Sequence, residues 1–202
     1  MGTIEFVTIE VADAGAAESF CATAFEAGDR VRVRASQPAT TGFRGFTISL
    51  VTSQPSTVDS LIGSAIDSGA TLLKAATKSL WGYGGVIQAP DGTIWTVASS
   101  SKKDTGPASR RIDGIVLQLG VADVAASKRF YLDHGLSAAK SFGSKYAEFD
   151  TGPIKLTLNP RQTLAKTAGV SPAGEGSHRI VIGGDAGAFT DPDGYVWETV
   201  AP

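Results

Sequence analysis

Residues able to do chemistry are few in this chain. It holds one cysteine, Cys21, and two histidines, His134 and His178. A single thiol excludes an intramolecular disulfide and any multi-thiolate metal site. A nucleophilic thiol needs a nearby base or a depressed pKa. No base is identifiable beside Cys21, so a small buried side chain is its expected role. His134 falls in the last turn of a helix, where a cationic imidazole complements the macrodipole. Trp81 and Tyr83, set among glycines in a turn, offer aromatic faces to a planar ligand or to the core. Lys155 and Arg161 flank a polar stretch and could meet an anion. Asp91 and Asp193 lie in PDG turns, where carboxylate-to-backbone bonds explain them.

A duplicated framework must position these side chains. VADAGAAESFCATAF from Val11 corresponds to VADVAASKRFYLDHG from Val121, and PDGTIW from Pro90 corresponds to PDGYVW from Pro192. Asp13 maps onto Asp123. The reading is a first domain over 1–100, a polar linker over 101–110 and a second domain over 111–202. Each copy opens on an alternating strand, Ile4 to Val11 and Ile115 to Val121. Each strand is followed by an Asp suited to cap a helix. Ala17, Phe20, Cys21, Ala24 and Phe25 share one face of the first helix, and Phe130, Tyr131 and His134 share one face of the second.

Beyond these helices the copies diverge. In the first, a strand over 46–51 leads to a helix whose start at Ser56, with Asp59 three residues on, has the form of a capping box. Strands near 72–75, 85–88 and 94–98 follow. In the second, strands near 138–141, 145–149 and 154–158 precede a polar stretch, Pro160 to Ser177, read as a lid or a short helix. A strand over 179–182 then reaches PDGYVW with no helical pattern between. The second copy lacks its back helix.

Composition narrows the partners. The 202 residues carry a formal net charge of −2 with 24 glycines. This balance argues against nucleic acid or an anionic membrane as the main partner. No run approaches the ~20 apolar residues of a membrane span and no signal pattern is visible, so a cytoplasmic protein is expected.

The strand–VAD–helix opening, the second helix ending in GAT, WGYGG and DPDGYVWE together resemble the vicinal oxygen chelate superfamily. That group includes glyoxalase, bleomycin-resistance and extradiol dioxygenase proteins. The resemblance spans nearly the whole chain as two degenerate tandem copies. It implies an α+β fold of paired βαβββ units, whose curved mixed sheets enclose a cavity. Metal-dependent members place a His on the first strand of a unit and a Glu on the last, and the cation polarises two substrate oxygens.

Carried over by position, the first-strand place falls on Phe6, Val116, Phe46 and His178. The last-strand place falls on Thr96 and Glu198, with Thr157 near the mid-sheet position. Only His178 and Glu198 can ligate a metal, and Gln118, on the same face as Val116, is a weak further oxygen donor. The expectation is a metal-free protein binding a small apolar or aromatic ligand through Phe6, Phe46, Trp81, Tyr83, Val116 and Gln118. Glu10, on the implied cavity face, is the carboxylate to consider as a general base. One alternative is a divalent-metal lyase, isomerase or dioxygenase using His178 and Glu198. Another is a non-catalytic scaffold, in which the sheet face left without its helix is covered by a second subunit in a homodimer.

Overall fold

The structure, a computed structural model, describes residues 2–36, 41–175 and 179–200. In chain order the elements are β1 (Ile4–Val11), α1 (Ala14–Phe25), a 3-10 turn (Gly28–Arg30), β2 (Val31–Ala35), β3 (Thr41–Gly42), β4 (Phe46–Thr52), α2 (Pro55–Asp67), β5 (Thr71–Ser79), β6 (Gly82–Gln88) and β7 (Ile94–Ser99). There follow β8 (Gly114–Val121), α3 (Val124–Asp133), β9 (Ala138–Ser141), β10 (Ala147–Phe149), β11 (Ile154–Pro160), α4 (Arg161–Ala168), β12 (Gly174–Glu175), β13 (Ile180–Gly184), β14 (Phe189–Thr190) and β15 (Val196–Thr199). Among the described residues no helix is long and apolar enough to cross a membrane.

Two stretches, β4 to β7 and β8 to β11, keep the full order of strand, helix and three strands. They join as one eight-stranded sheet, β5-β6-β7-β4-β8-β11-β10-β9. At its centre β4 and β8 run antiparallel, with Thr47 opposite Gln118 and Ser49 opposite Val116. The incomplete units at the two ends of the chain supply a five-stranded sheet, β14-β15-β13-β1-β2. Each sheet therefore draws strands from both copies. Strand β2, with its alternating Val and Arg, completes the small sheet's edge beside β1; the sequence reading had not placed it.

Alternation along the strands gives each sheet an inner and an outer face. Val7, Ile9 and Val11, together with Ile48, Leu50, Leu117 and Leu156, lie in one buried core with Leu61 of α2 and Tyr131 of α3. Helix starts follow the expected chemistry in two cases. Asp13 accepts from the Ala16 amide at 3.0 Å, and Asp123 accepts from Ala125 and Ala126 at 2.8 and 3.0 Å. Helix α2 departs from its capping-box reading. Its cap position is Gln54, with no side-chain cap bond, and the Ser56 amide instead donates to Asp104 of the linker at 2.7 Å. A distant carboxylate has taken the capping role.

Between β13 and β14 no helix forms, as expected. Aromatic rings fill that space. Trp197, 1% exposed, lies 5.5 Å from Tyr131 and 5.2 Å from Phe189 by ring centroids, and Tyr131 lies 5.7 Å from Phe149. The Tyr131 hydroxyl donates to Asp191 at 2.5 Å. The inner face left without its helix is thus covered from within the chain.

The polar stretch after β11 forms α4, which lies on the outer face of the large sheet. Leu164, Ala165 and Ala168 pack there on Phe43, Val86 and Ile94. Lys74 closes the far end, donating to the carbonyls of Lys166 and Thr167 at 2.8 and 2.6 Å. Gly120 permits the close approach: a Cβ there would stand 2.8 Å from the Gly45 oxygen and 3.1 Å from the Arg161 Cα. The first copy carries Glu10 at the matching place. Gly120→Val is expected to destabilise the protein by about 1–3 kcal/mol through overpacking. It should also lift α4, read as increased fluorescence of a dye that binds the uncovered Phe43 and Ile94.

Candidate functional site

The uncovered part of the large sheet's outer face is a grid set by strand register. One row runs Thr96, Ser49, Val116, Lys155 across β7, β4, β8 and β11. The next runs Thr47, Gln118, Thr157, Glu148 across β4, β8, β11 and β10. Thr47, Ser49 and Thr157 are buried in the floor, while Thr96, Val116, Gln118 and Glu148 are half-buried. The Thr47 hydroxyl donates to Gln118 Oε1 at 2.8 Å. Asn159 donates to Thr157 Oγ1 at 3.3 Å. Tyr146 donates to Glu148 Oε2 at 3.0 Å. Burial, and then that bond, raise the Tyr146 phenol above its ordinary range. The face offers an amide, hydroxyls, a carboxylate and the Lys155 ammonium around one apolar residue, Val116.

Among the residues expected to contact a ligand, Val116 and Gln118 come together here with Thr96 and Thr157. Phe46 does not. It sits in the core with Ile48 and Leu50, and its neighbour Thr47 occupies the outward place. Counted back from the helix starts at Pro55 and Val124, Thr47 is also the residue that corresponds to Val116. A slip of one residue exchanges the two faces of a strand. Trp81 is 84% exposed at the β5–β6 turn, and Tyr83 points to the helix side, donating to Asp59 of α2 at 2.8 Å. Neither lies on the grid. Thr47, Ser49, Glu148 and Tyr146 went unnoticed in the sequence. The signal was available, since Glu148 alternates with inward Ala147 and Phe149 just as Thr47 alternates with Phe46 and Ile48.

The small sheet's outer face is occupied by its own side chains. Phe6, Gly183 and Glu198 form one row across β1, β13 and β15. The Phe6 ring lies over Gly183, where a Cβ would come within 2.3 Å of it, and the Arg32 guanidinium stacks 3.5 Å above the ring. Arg34 bridges Glu10 at 2.6 Å and Glu198 at 3.2 Å. These bonds, that to Glu10 first, raise the Arg34 pKa. Glu10 is therefore held in an ion pair. Opposite Thr8 on β13 stands Val181, which by the same antiparallel register is the counterpart of Phe6. His178 lies outside the described residues.

On the large sheet, the first-strand and last-strand places that the resemblance implies for a metal fall on Thr47, Val116, Thr96 and Thr157. Three neutral hydroxyls and an isopropyl group do not fit a divalent cation, which takes carboxylate or imidazole donors in such sites. On the small sheet Glu198 already has a guanidinium beside it. Among the described residues no group of three or more His, Cys, Asp and Glu converges. Cys21 is half-buried, and burial, with the charges of Asp91 and Glu18, pushes its thiol up to about 12. It is no nucleophile at neutral pH. His134 is stacked between Phe130 and Phe189, at 4.1 and 4.3 Å, with Nδ1 2.8 Å from the Phe130 oxygen.

Paired βαβββ units joined into mixed sheets, each unit with a first-strand and a last-strand place on the outer face, define the vicinal oxygen chelate fold. In particular, the chain is similar to glyoxalase I from Zea mays, with a TM-score of 0.64 at 14% identity over 99% of this chain and 92% of that one. It is also similar to a candidate dioxygenase from Bacillus subtilis subsp. subtilis str. 168, with a TM-score of 0.55 at 11% identity over 95% of this chain and 71% of that one. No family model and no curated protein matches the sequence. At these identities the likeness establishes the fold.

Proposed function

We propose that this protein is a metal-free receptor for a small polar molecule, bound on the uncovered outer face of the eight-stranded sheet. The observation that carries the reading is the row Thr47–Gln118–Thr157–Glu148, in which hydrogen-bonding side chains surround and replace the metal-ligand places of the fold. Gln118 presents N–H donors because its oxygen is already used by Thr47. Glu148 presents its second carboxylate oxygen because Tyr146 uses the first. A ligand carrying an acceptor at one end and a donor at the other, such as an amide or a polyol, satisfies both. Its apolar part would rest on Val116. The ligand favoured by the grid is thus more polar than the apolar or aromatic one implied by resemblance.

The test is a thermal-shift screen of polar metabolites on chelator-treated protein, repeated with Gln118→Leu and Glu148→Gln. A ligand at a hundred times its Kd stabilises by about 2.7 kcal/mol, and a chain of this size converts that to roughly 5–10 °C in Tm. The expected result is a shift that survives EDTA and is lost in both variants. A shift that needs an added divalent ion, or stoichiometric metal in protein purified without chelator, would reject the metal-free reading in favour of a metalloenzyme.

A further inference from the structure

Away from the sheet's outer face, a cleft of about 510 Å³ borders the linker and another of about 660 Å³ borders α1. Both have charges that are already paired or of mixed sign. A third is different. It lies between α3 and the β9–β10 hairpin, has a volume of about 450 Å³, and is lined by Lys128, Arg129, Leu132, Ser141 and Ser144 among others. Among the described residues, neither Lys128 nor Arg129 is ion-paired. Leu132, which lines the cleft, is 41% exposed. Lys140 and Lys145 stand exposed on the same hairpin. Unpaired cations thus adjoin uncovered apolar surface in a chain whose net charge is −2.

The sister unit makes the comparison. Counted from the helix starts at Pro55 and Val124, Lys128 occupies the place of Asp59. There the gap between helix and hairpin is bridged by the Tyr83–Asp59 bond of 2.8 Å. In the third unit, β8 to β11, the charge is reversed, and among the described residues Lys128 makes no such closing ion pair. The same space is left open and positive.

We propose that the cleft between α3 and the β9–β10 hairpin binds a small organic anion that joins a phosphate-like charge to an apolar group. Lys128 and Arg129 neutralise the charge, Arg129 by a planar fork suited to two oxygens. Leu132 takes the apolar part. This site is separate from the proposed receptor face and does not depend on it.

Phenyl phosphate is the probe, titrated by calorimetry at low and physiological salt, with inorganic phosphate and benzyl alcohol as half-ligands. Phenyl phosphate is expected to bind saturably and at least about fivefold more tightly than either half-ligand. The double variant Lys128→Ala/Arg129→Ala should weaken it at least about tenfold with an unchanged melting temperature. Leu132→Ser should weaken phenyl phosphate while sparing inorganic phosphate. Equal affinity in wild type and double variant, equal affinity for inorganic phosphate, or no saturation by about 10 mM each overturns the proposal. Pelleting with phosphatidylglycerol vesicles that the double variant abolishes, without phenyl phosphate binding, would overturn it too by assigning the patch to a membrane surface.

Discussion

Trp197→Ala is expected to lower the stability of this protein by about 3–5 kcal/mol, the range for truncating a buried tryptophan. The indole is 1% exposed and stacks on Phe189 at an interplanar angle of 20°. It meets Tyr131 on α3 and so joins the small sheet to a helix of the third unit. In the first copy the matching closing strand carries Trp95, packed on Phe25 of α1 at 4.7 Å. The second copy keeps the corresponding helix as α3, and Trp197 packs on its Tyr131 with the Phe189 ring added. Removing Trp197 leaves a cavity bordered by the Tyr131 and Phe189 rings. Trp197→Phe keeps a ring in place and should cost clearly less. Urea unfolding monitored by far-UV circular dichroism separates the two. A loss below about 1 kcal/mol for the alanine variant would mean that the aromatic cluster does not carry this interface.

Gln54→Ala should produce the second large effect, about 1–3 kcal/mol, from loss of several hydrogen bonds at roughly 0.5–1 kcal/mol each between a buried side chain and the exposed linker. The Gln54 oxygen accepts from the Thr105 and Gly106 amides at 2.9 and 3.0 Å and from the Thr105 hydroxyl at 3.1 Å. Its nitrogen donates to the carbonyls of Gly106 and Pro107 at 3.2 and 2.8 Å. One amide thus pins the segment whose composition reads as a loose linker. The variant should also gain tryptic cleavage at Lys102, Lys103, Arg110 and Arg111, resolved by mass spectrometry. Gln54→Glu serves as a second probe, because a carboxylate cannot donate to those carbonyls. Unchanged cleavage in both variants would show that the linker is held by its other contacts, such as Arg110 to Ser64 at 2.9 Å.

Much of the local structure is readable from residue order. The Asp13 and Asp123 caps, the first strand of each copy and the missing helix after β13 all follow from short-range chemistry. The errors are also local in origin. Phe46 and Thr47 differ by one position, and that difference separates a core ring from an outward hydroxyl. Ser56 has the spacing of a capping box, yet Asp104, far along the chain, supplies the bond. Trp81 and Tyr83 read as ligand aromatics because glycines surround them. The strand that carries Tyr83 aims it at α2 instead.

Duplication, strand and helix periods, capping aspartates and the family-like motifs are properties of neighbouring residues, so the order of amino acids determined them. Which units share a sheet, which charges meet and which face stays open depend on pairings between residues far apart. The β1–β13 and β4–β8 ladders, the Glu10–Arg34–Glu198 bridge and the seating of α4 on Gly120 are of that kind. They were decided by the tertiary structure, where long-range burial and hydrogen bonding outweigh any local preference.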